Sequence, residues 1–435
     1  MKAEIISVGD EVLRGDVVNT DTSFLAARLS ELGFTVQYHT SVGDHEEELL
    51  DVVKTAISRS HVMIFTGGLG PTKDDMTKET IAAAIGRKLI LDQEEADTMK
   101  AWFSSRGVTM TENNLKQALI IEGGEALKNN NGTAPGIYVQ QGNQAIILLP
   151  GPPRELEPLY YEQVKPRLER FTDSRNYFIT LKVFGFGESA LEEDIKDLLY
   201  SDNPTAALYA KTGEVEIRIT GRAKTEGEAR DLAEELAEKI KRRVGAFIYS
   251  DSGESLEEMI VSKLRNNSLH IAVAESCTGG MMSAAITSVS GSSDVFEYGL
   301  TAYADWVKKR DLDLDRMIIN RYTAISSETA AEMAKAVLLQ GRADIGVGIT
   351  GQAGPTKGTL NDKEVGLVYI AVADHEYVVV KEFNFGNRRG REYIRTLAVK
   401  NAFDMVRRTI DKIAIDNSYV FRHNVIASFN TKDKR

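Results

Sequence analysis

The chain has 435 residues, 42% of them hydrophobic and 27% charged, which is too long for one ordinary core and predicts two or three globular domains. A formal net charge of -11 argues against a dedicated nucleic-acid surface, so small anions have to be held by local groups such as glycine-rich loops and single arginines. A single cysteine excludes an intrachain disulfide and a cysteine-rich metal site, and the chain shows neither a signal-peptide pattern nor a membrane-spanning apolar run, so a cytoplasmic protein is expected.

Residues 3–90 alternate strand-like and helix-like segments: Ile5-Ile6-Ser7-Val8, then 24–32 stopped by Gly33, then 35–39, 46–57 and 61–66. This rhythm predicts an α/β domain built on a parallel sheet covered on both faces, with ligands at the carboxyl ends of the strands. The third strand runs into Gly67-Gly68-Leu69-Gly70-Pro71-Thr72-Lys73-Asp74-Asp75. Gly67, Gly68 and Gly70 allow close approach of the backbone to a phosphate, and Asp74 with Asp75 supplies hard oxygen ligands for a divalent ion. Asp10 and Glu11 are further candidate metal ligands or ribose partners, and the turn at Thr133-Ala134-Pro135-Gly136 is a candidate lining of the same pocket. The same features equally suit a domain that binds a phosphorylated ligand without cleaving it.

The stiff Leu149-Pro150-Gly151-Pro152-Pro153 turn and a charged helix pattern close this first domain at residues 1–171. Strands at 177–183 and 214–221 and helices at 188–200 and 226–244 predict a small α+β connector over 172–252. A third α/β domain over 253–415 opens with a Ser255–Glu258 capping box and repeats strand-like runs at 269–275, 298–304, 344–350 and 365–372. The last of these and 377–385 read as an antiparallel hairpin, and residues 416–435 form a tail expected to fray at 432–435.

The strand at 269–275 leads into Glu275-Ser276-Cys277-Thr278-Gly279-Gly280, and a helix pattern follows. A hydroxyl at such a turn, beside the backbone N–H groups of Thr278, Gly279 and Gly280, is how a nucleophile is presented to an oxyanion or phosphate. His270 lies at the far end of the strand, roughly 20 Å away when extended, so Ser276 needs a base other than histidine. Cys277 is a competing nucleophile, although thiolates need a partner that lowers their pKa. Glu275 is a candidate for orienting the site through hydrogen bonds. Thr350-Gly351-Gln352-Ala353-Gly354 forms a second loop able to contact phosphate or substrate, and either Arg388 or Arg389 is placed to clamp a phosphate. The six histidines show no ligand spacing, which argues against a zinc hydrolase.

Four stretches of the third domain, taken in order, resemble the CinA C-terminal, or nicotinamide-nucleotide amidohydrolase, family: Ala274–Gly280, Tyr303 to Lys308, Ile325-Ser326-Ser327-Glu328, and Gly348-Ile349-Thr350-Gly351-Gln352-Ala353-Gly354-Pro355. Gly9-Asp10-Glu11, the Gly67 loop, Gly132-Thr133-Ala134-Pro135-Gly136 and Pro150 to Leu156 resemble the CinA N-terminal domain, a relative of the molybdopterin-binding fold. Phe184-Gly185-Phe186-Gly187-Glu188-Ser189 and the stretch 208–211 are similar to the linking domain of full-length CinA. This resemblance implies Lys308 as the base and Tyr303 as a proton-relay or orienting group for Ser276, in deamidation of nicotinamide mononucleotide to nicotinate mononucleotide and ammonia. It also implies a metal-dependent ADP-ribose pyrophosphatase in the first domain, and a homodimer. The alternative from another class is a non-catalytic protein that binds a nucleotide or a molybdopterin, or a competence adaptor. Direct nucleic-acid binding is not expected.

Overall fold

The computed structural model describes residues 1–356 and 363–422, so the expected frayed end at 432–435 lies outside the described residues. The chain divides into two compact units, Met1–Phe178 with Thr220–Glu234, and Ile179–Ile219 with Glu235–Arg435. The stretch 172–252 read as a connector is therefore shared between the units.

In the first unit, β1 (Lys2–Val8) pairs in parallel with β2 (Thr35–Val42) and with β3 (Val62–Thr66). The helices α1 (Thr20–Glu31) and α2 (Glu46–Arg59) make the crossovers, and α3 (Thr77–Ala84) follows β3. Alternation along β1 sends Ile5 into a core with Leu25 and Leu29 of α1, and Ile6 into another with Leu49 and Val53 of α2. Both faces are thus buried, as continuous apolar strands require. The sheet is mixed rather than wholly parallel: β4 (Glu125–Leu127), β5 (Gly136–Gln141) and β6 (Gln144–Leu149) give the order β2-β1-β3-β6-β5-β4, with β5 antiparallel to both its neighbours. Beyond β6, α4 (Pro153–Leu159) begins at Pro153, whose fixed φ suits the first turn of a helix.

The connecting stretch holds β7 (Arg175–Phe184), β8 (Thr205–Lys211), β9 (Glu214–Ala223), α5 (Glu226–Val244) and β10 (Ile248–Ser250), in sheet order β8-β9-β7-β10. The helix expected over 188–200 is interrupted at Ile195, between Glu188–Asp194 and Lys196–Leu199.

The second unit is centred on a six-stranded sheet. β11 (Ile271–Glu275) lies between β12 (Phe296–Thr301) and β13 (Ile345–Gly351), parallel to both. β14 (Leu367–Ala373) and β15 (Tyr377–Asn384) form the expected antiparallel hairpin, and β16 (Ser418–Arg422) adds an edge strand where only a tail was read. α6 (Leu256–Asn266) and α10 (Gly390–Ile410) share a core with Val273, Val347 and Ile370, while α9 (Ser327–Gln340) packs on the opposite face against Ala272 and Ala371. Between them in sequence lie α7 (Met281–Thr287) and α8 (Asp305–Asp311).

Alternate glycines on β13 let α9 lie directly on the strand. A Cβ at Gly346 would sit 2.1 Å from the Ala334 carbonyl oxygen, and one at Gly348 2.3 Å from that of Ala330. Backbone cannot yield as a flexible side chain can, so Gly348→Ala is expected to destabilise the unit by about 1–3 kcal/mol, read as a lower urea midpoint at unchanged slope.

Candidate active site

The carboxyl ends of β12, β11 and β13 place Tyr303, Ser276 and Thr350 along one sheet edge, because Glu275 is in register with Thr301 on one side and Ile349 on the other. The Ser276 N–H donates to the Ile349 carbonyl at 2.9 Å, which extends the ladder by one residue into the turn. Gly279 and Gly280 then take φ of +60° and +93°, left-handed values that side chains disfavour.

Glu275 is fully buried, and both of its oxygens accept hydrogen bonds from the protein itself. Oε2 accepts from the N–H groups of Gly280 (3.1 Å) and Met282 (3.0 Å), and Oε1 from the N–H (2.9 Å) and hydroxyl (2.8 Å) of Ser283. The carboxylate therefore satisfies the start of α7 and fixes the turn instead of reaching a ligand. The Gly280 N–H, expected to face substrate, is engaged here, and the Gly279 N–H donates to the Ser276 carbonyl at 3.1 Å.

Cys277 is 5% exposed and Ser276 is 8% exposed. Burial pushes the Cys277 thiol up to about 12, with the Glu275 charge adding to the effect, so a thiolate is scarce near neutral pH.

Lys308, read from sequence alone, is an ordinary surface lysine; in the fold it is 1% exposed. Its ammonium donates to the Tyr303 carbonyl at 3.0 Å and lies 3.6 Å from Asp305 Oδ1. Burial lowers its pKa against the opposing pull of Asp305.

Two arginines that the sequence reading did not name draw these segments together. Arg391 donates to the Gly354 carbonyl at 2.7 Å and to the Tyr303 hydroxyl at 3.3 Å, and Arg395 donates to the Thr278 carbonyl at 2.6 Å. They are four apart near the start of α10 and so share one face, the signal that could have found them. Arg388 and Arg389 are both exposed, and Arg389 folds back over Tyr393 of α10, so neither is drawn into this cluster. Thr278 Oγ1 and Arg395 Nε are both buried without a hydrogen-bond partner. In the neighbouring loop Thr350 donates to the Ala324 carbonyl at 2.7 Å and Gln352 to that of Thr356 at 2.9 Å, while Ala353 is buried and Gly354 takes φ of +72°.

The glycine loop of the first unit follows β3 at the same kind of sheet edge. A Cβ at Gly67 would meet the Val8 carbonyl oxygen at 2.2 Å, and one at Gly68 the Thr77 hydroxyl at 2.1 Å, so both positions require glycine. Lys116 braces the loop by donating to the Thr72 carbonyl at 2.9 Å and to that of Asp75. The Lys116 carbonyl in turn accepts from buried Lys78, whose pKa is lowered to about 8 by burial. Thr133 donates to Gln117, next to that brace.

The four carboxylates expected to hold a divalent ion do not fit that role as folded. Asp10 pairs with Arg14 and accepts from the Asp44 N–H, Asp75 accepts from the N–H and hydroxyl of Thr72, and Glu11 and Asp74 are exposed. Among the described residues no three His, Cys, Asp or Glu side chains converge to hold a metal. Asp44, which sequence reasoning missed, accepts from the Asp10 N–H at 3.1 Å. Its pKa is raised by burial and by the Glu11, Asp10 and Asp75 charges around it. His270 pairs with Asp344 at the amino end of β11, away from Ser276.

These two sheet edges, one with a glycine loop and one with a serine turn, define a protein that joins a molybdopterin-binding-like α/β domain to a second α/β domain. Residues 4–170 match the probable molybdopterin binding domain, 179–250 the damage-inducible protein CinA KH domain, and 253–410 the CinA C-terminal domain. A CinA-like protein of Dictyoglomus thermophilum is 45% identical over 94% of this chain and 99% of its own length, and another of Dictyoglomus turgidum is 44% identical over the same shares. The crystal structure of a CinA protein of unknown function from Thermoplasma acidophilum matches 38% of this chain and 96% of its own, at 34% identity and a TM-score of 0.36. The chain belongs to the CinA family. Among its described residues no helix is long and apolar enough to cross a membrane.

Breaking the Glu275 cap tests the local argument. Glu275→Gln turns one acceptor into a donor that faces backbone N–H groups, and is expected to cost roughly 2–3 kcal/mol in urea denaturation, with matching loss of hydrogen-exchange protection at Gly280 and Met282.

Proposed function

We propose that the second unit hydrolyses the carboxamide of nicotinamide mononucleotide, with Ser276 as nucleophile and Lys308 as base. The observation that carries this reading is the burial of Lys308, which favours the neutral amine that a base must be. In this scheme Ser276 Oγ attacks the amide carbon while its proton passes to Lys308 Nζ. The N–H groups of Cys277 and Thr278 receive the oxyanion, since those of Gly279, Gly280 and Met282 are engaged within the protein. Lys308 returns the proton to the leaving nitrogen, ammonia departs, and water cleaves the resulting ester to nicotinate mononucleotide. Arg391 and Arg395 hold the phosphate, a role supported by their place across the Thr278, Tyr303 and Gly354 segments, and Tyr303 orients the ring.

In the first unit the reading stops at binding of a phosphorylated ligand by the glycine loop. Metal-assisted cleavage of ADP-ribose asks for free carboxylates, whereas Asp10 and Asp75 are held by Arg14, the Asp44 N–H and Thr72.

Ser276→Ala is expected to lower ammonia release from nicotinamide mononucleotide by about 10³-fold or more. Unchanged release would overturn the reading and leave a non-catalytic, nucleotide-binding role. For Lys308 the sign follows from its charge: the base is neutral above its lowered pKa, so kcat/KM rises with pH along a limb lying below the ordinary lysine range. Lys308→Arg, charged throughout, is expected to remove that limb together with the activity. Arg395→Ala is expected to raise KM about tenfold with a smaller change in kcat, as loss of uniform binding does.

A further inference from the structure

Asp305 opens α8 and stands three residues before Lys308, so the two side chains share a face of the helix. Its Oδ1 lies 3.6 Å from the Lys308 nitrogen, which also donates to the Tyr303 carbonyl at 3.0 Å. This pair differs from those on the surface helices. In Lys196–Glu193 and Lys239–Glu235 both side chains are more than half exposed, and water screens such pairs until they contribute little. In Lys308–Asp305 the lysine side chain is 1% exposed and the aspartate 51%, so the buried amine takes from these two oxygens what water would otherwise supply.

The two oxygens also set the direction of the amine. A carbonyl and an ionised carboxylate only accept hydrogen bonds, so both attract the N–H groups of a neutral amine and neither occupies its lone pair. The lone pair is left to take a proton from elsewhere. Neighbouring charges do not compete for the position. Arg310 donates to Asp311 at 2.6 Å, with its guanidinium carbon 4.5 Å from the Trp306 ring centroid, and Lys309, the next residue on the helix, does not share the Lys308 face. Cys277, whose charge would also favour the ammonium, keeps its thiol neutral because burial pushes it up to about 12.

We propose that Asp305 is the counter-ion of Lys308, holding the amine with its lone pair free and stabilising the ammonium that forms when Ser276 gives up its proton. The inference rests on the Ser276–Lys308 reading above. In that step the Ser276 O–H bond breaks, the proton bonds to Nζ, and the Oγ electron pair forms the bond to the amide carbon as the carbonyl π pair moves to the oxyanion. Nζ thus gains its charge beside a carboxylate that stays ionised, as the aspartate of a hydrolytic triad does beside its histidine. Burial favours the neutral amine and Asp305 the ammonium, so the group is able to take the proton and to return it to the leaving nitrogen. Asp305 acts through Lys308 and is a positioning residue.

The test is an NMR titration of the full chain with isotope-labelled lysine side chains, the Lys308 signal being assigned by its loss in Lys308→Arg. Asp305→Asn keeps the shape and removes the charge, so the Lys308 midpoint is expected to move to lower pH, and Asp305→Glu, which keeps the charge, to bring it back toward the wild type. Alongside, the rising limb of kcat/KM for ammonia release is expected to move to lower pH in Asp305→Asn, while kcat above the limb falls about tenfold at unchanged KM. Equal midpoints in the wild type and Asp305→Asn overturn the proposal. So does a fall in activity that is uniform across pH, which is what a merely structural role would give. A wild type that releases no ammonia overturns the deamidase reading instead, and the titration still decides the pairing.

Discussion

A buried carboxylate with four donors around it sets the geometry of the C-terminal half. Glu275 ends the central strand and begins the helix that follows, because its two oxygens satisfy N–H groups that the first turn of α7 would otherwise leave unpaired. A charge so deep in the protein is tolerable only when every lone-pair direction is used. That condition locks Ser276 and Cys277 into a turn whose shape does not depend on a ligand. Preorganisation of this kind matters for catalysis, since a turn that must first be ordered takes its ordering energy from binding.

Around this fixed turn the other groups are placed by packing. Lys308 owes its chemistry to α8, which buries it, and not to a neighbouring cation. Arg391 and Arg395 owe theirs to the register of α10, which brings one face of a long helix across three loops distant in sequence. The resulting cluster draws on β11, β12, β13, α8 and α10, so it exists only when the whole unit is folded.

Much of this architecture was legible in the chain. The alternation of apolar runs with Gly33 and the Gly67 loop gave the βαβ order of the first unit, because fully buried parallel strands and amphipathic crossovers leave distinct patterns. Other elements left weaker traces. β16 has five residues and is defined by its partner β15, while the antiparallel edge formed by β5 and β4 reads locally like any other strands. At the site, Ser276 and the glycines were visible as a strand-to-helix turn. Glu275 was read as a hydrogen-bonding, orienting residue and Lys308 was singled out through the family resemblance, but the cap that Glu275 makes and the burial of Lys308 were not legible, because both are tertiary properties. Arg388 and Arg389 stand exposed, while the four-residue spacing just beyond them puts Arg391 and Arg395 on the loops, and Asp44 was one acidic residue among many. The expected metal ligands illustrate the converse, since suitable residue types close in sequence were turned by local hydrogen bonds to other tasks.

Sealing the protein's single thiol directly beside the Ser276 hydroxyl gives the molecule an intrinsic clock. An alkylating reagent gains access only in moments when the turn unlatches, so the rate at which Cys277 becomes modified reports how often that corner opens. The same seal shields the thiol from peroxide, because oxidation follows thiolate character and exposure and Cys277 offers little of either.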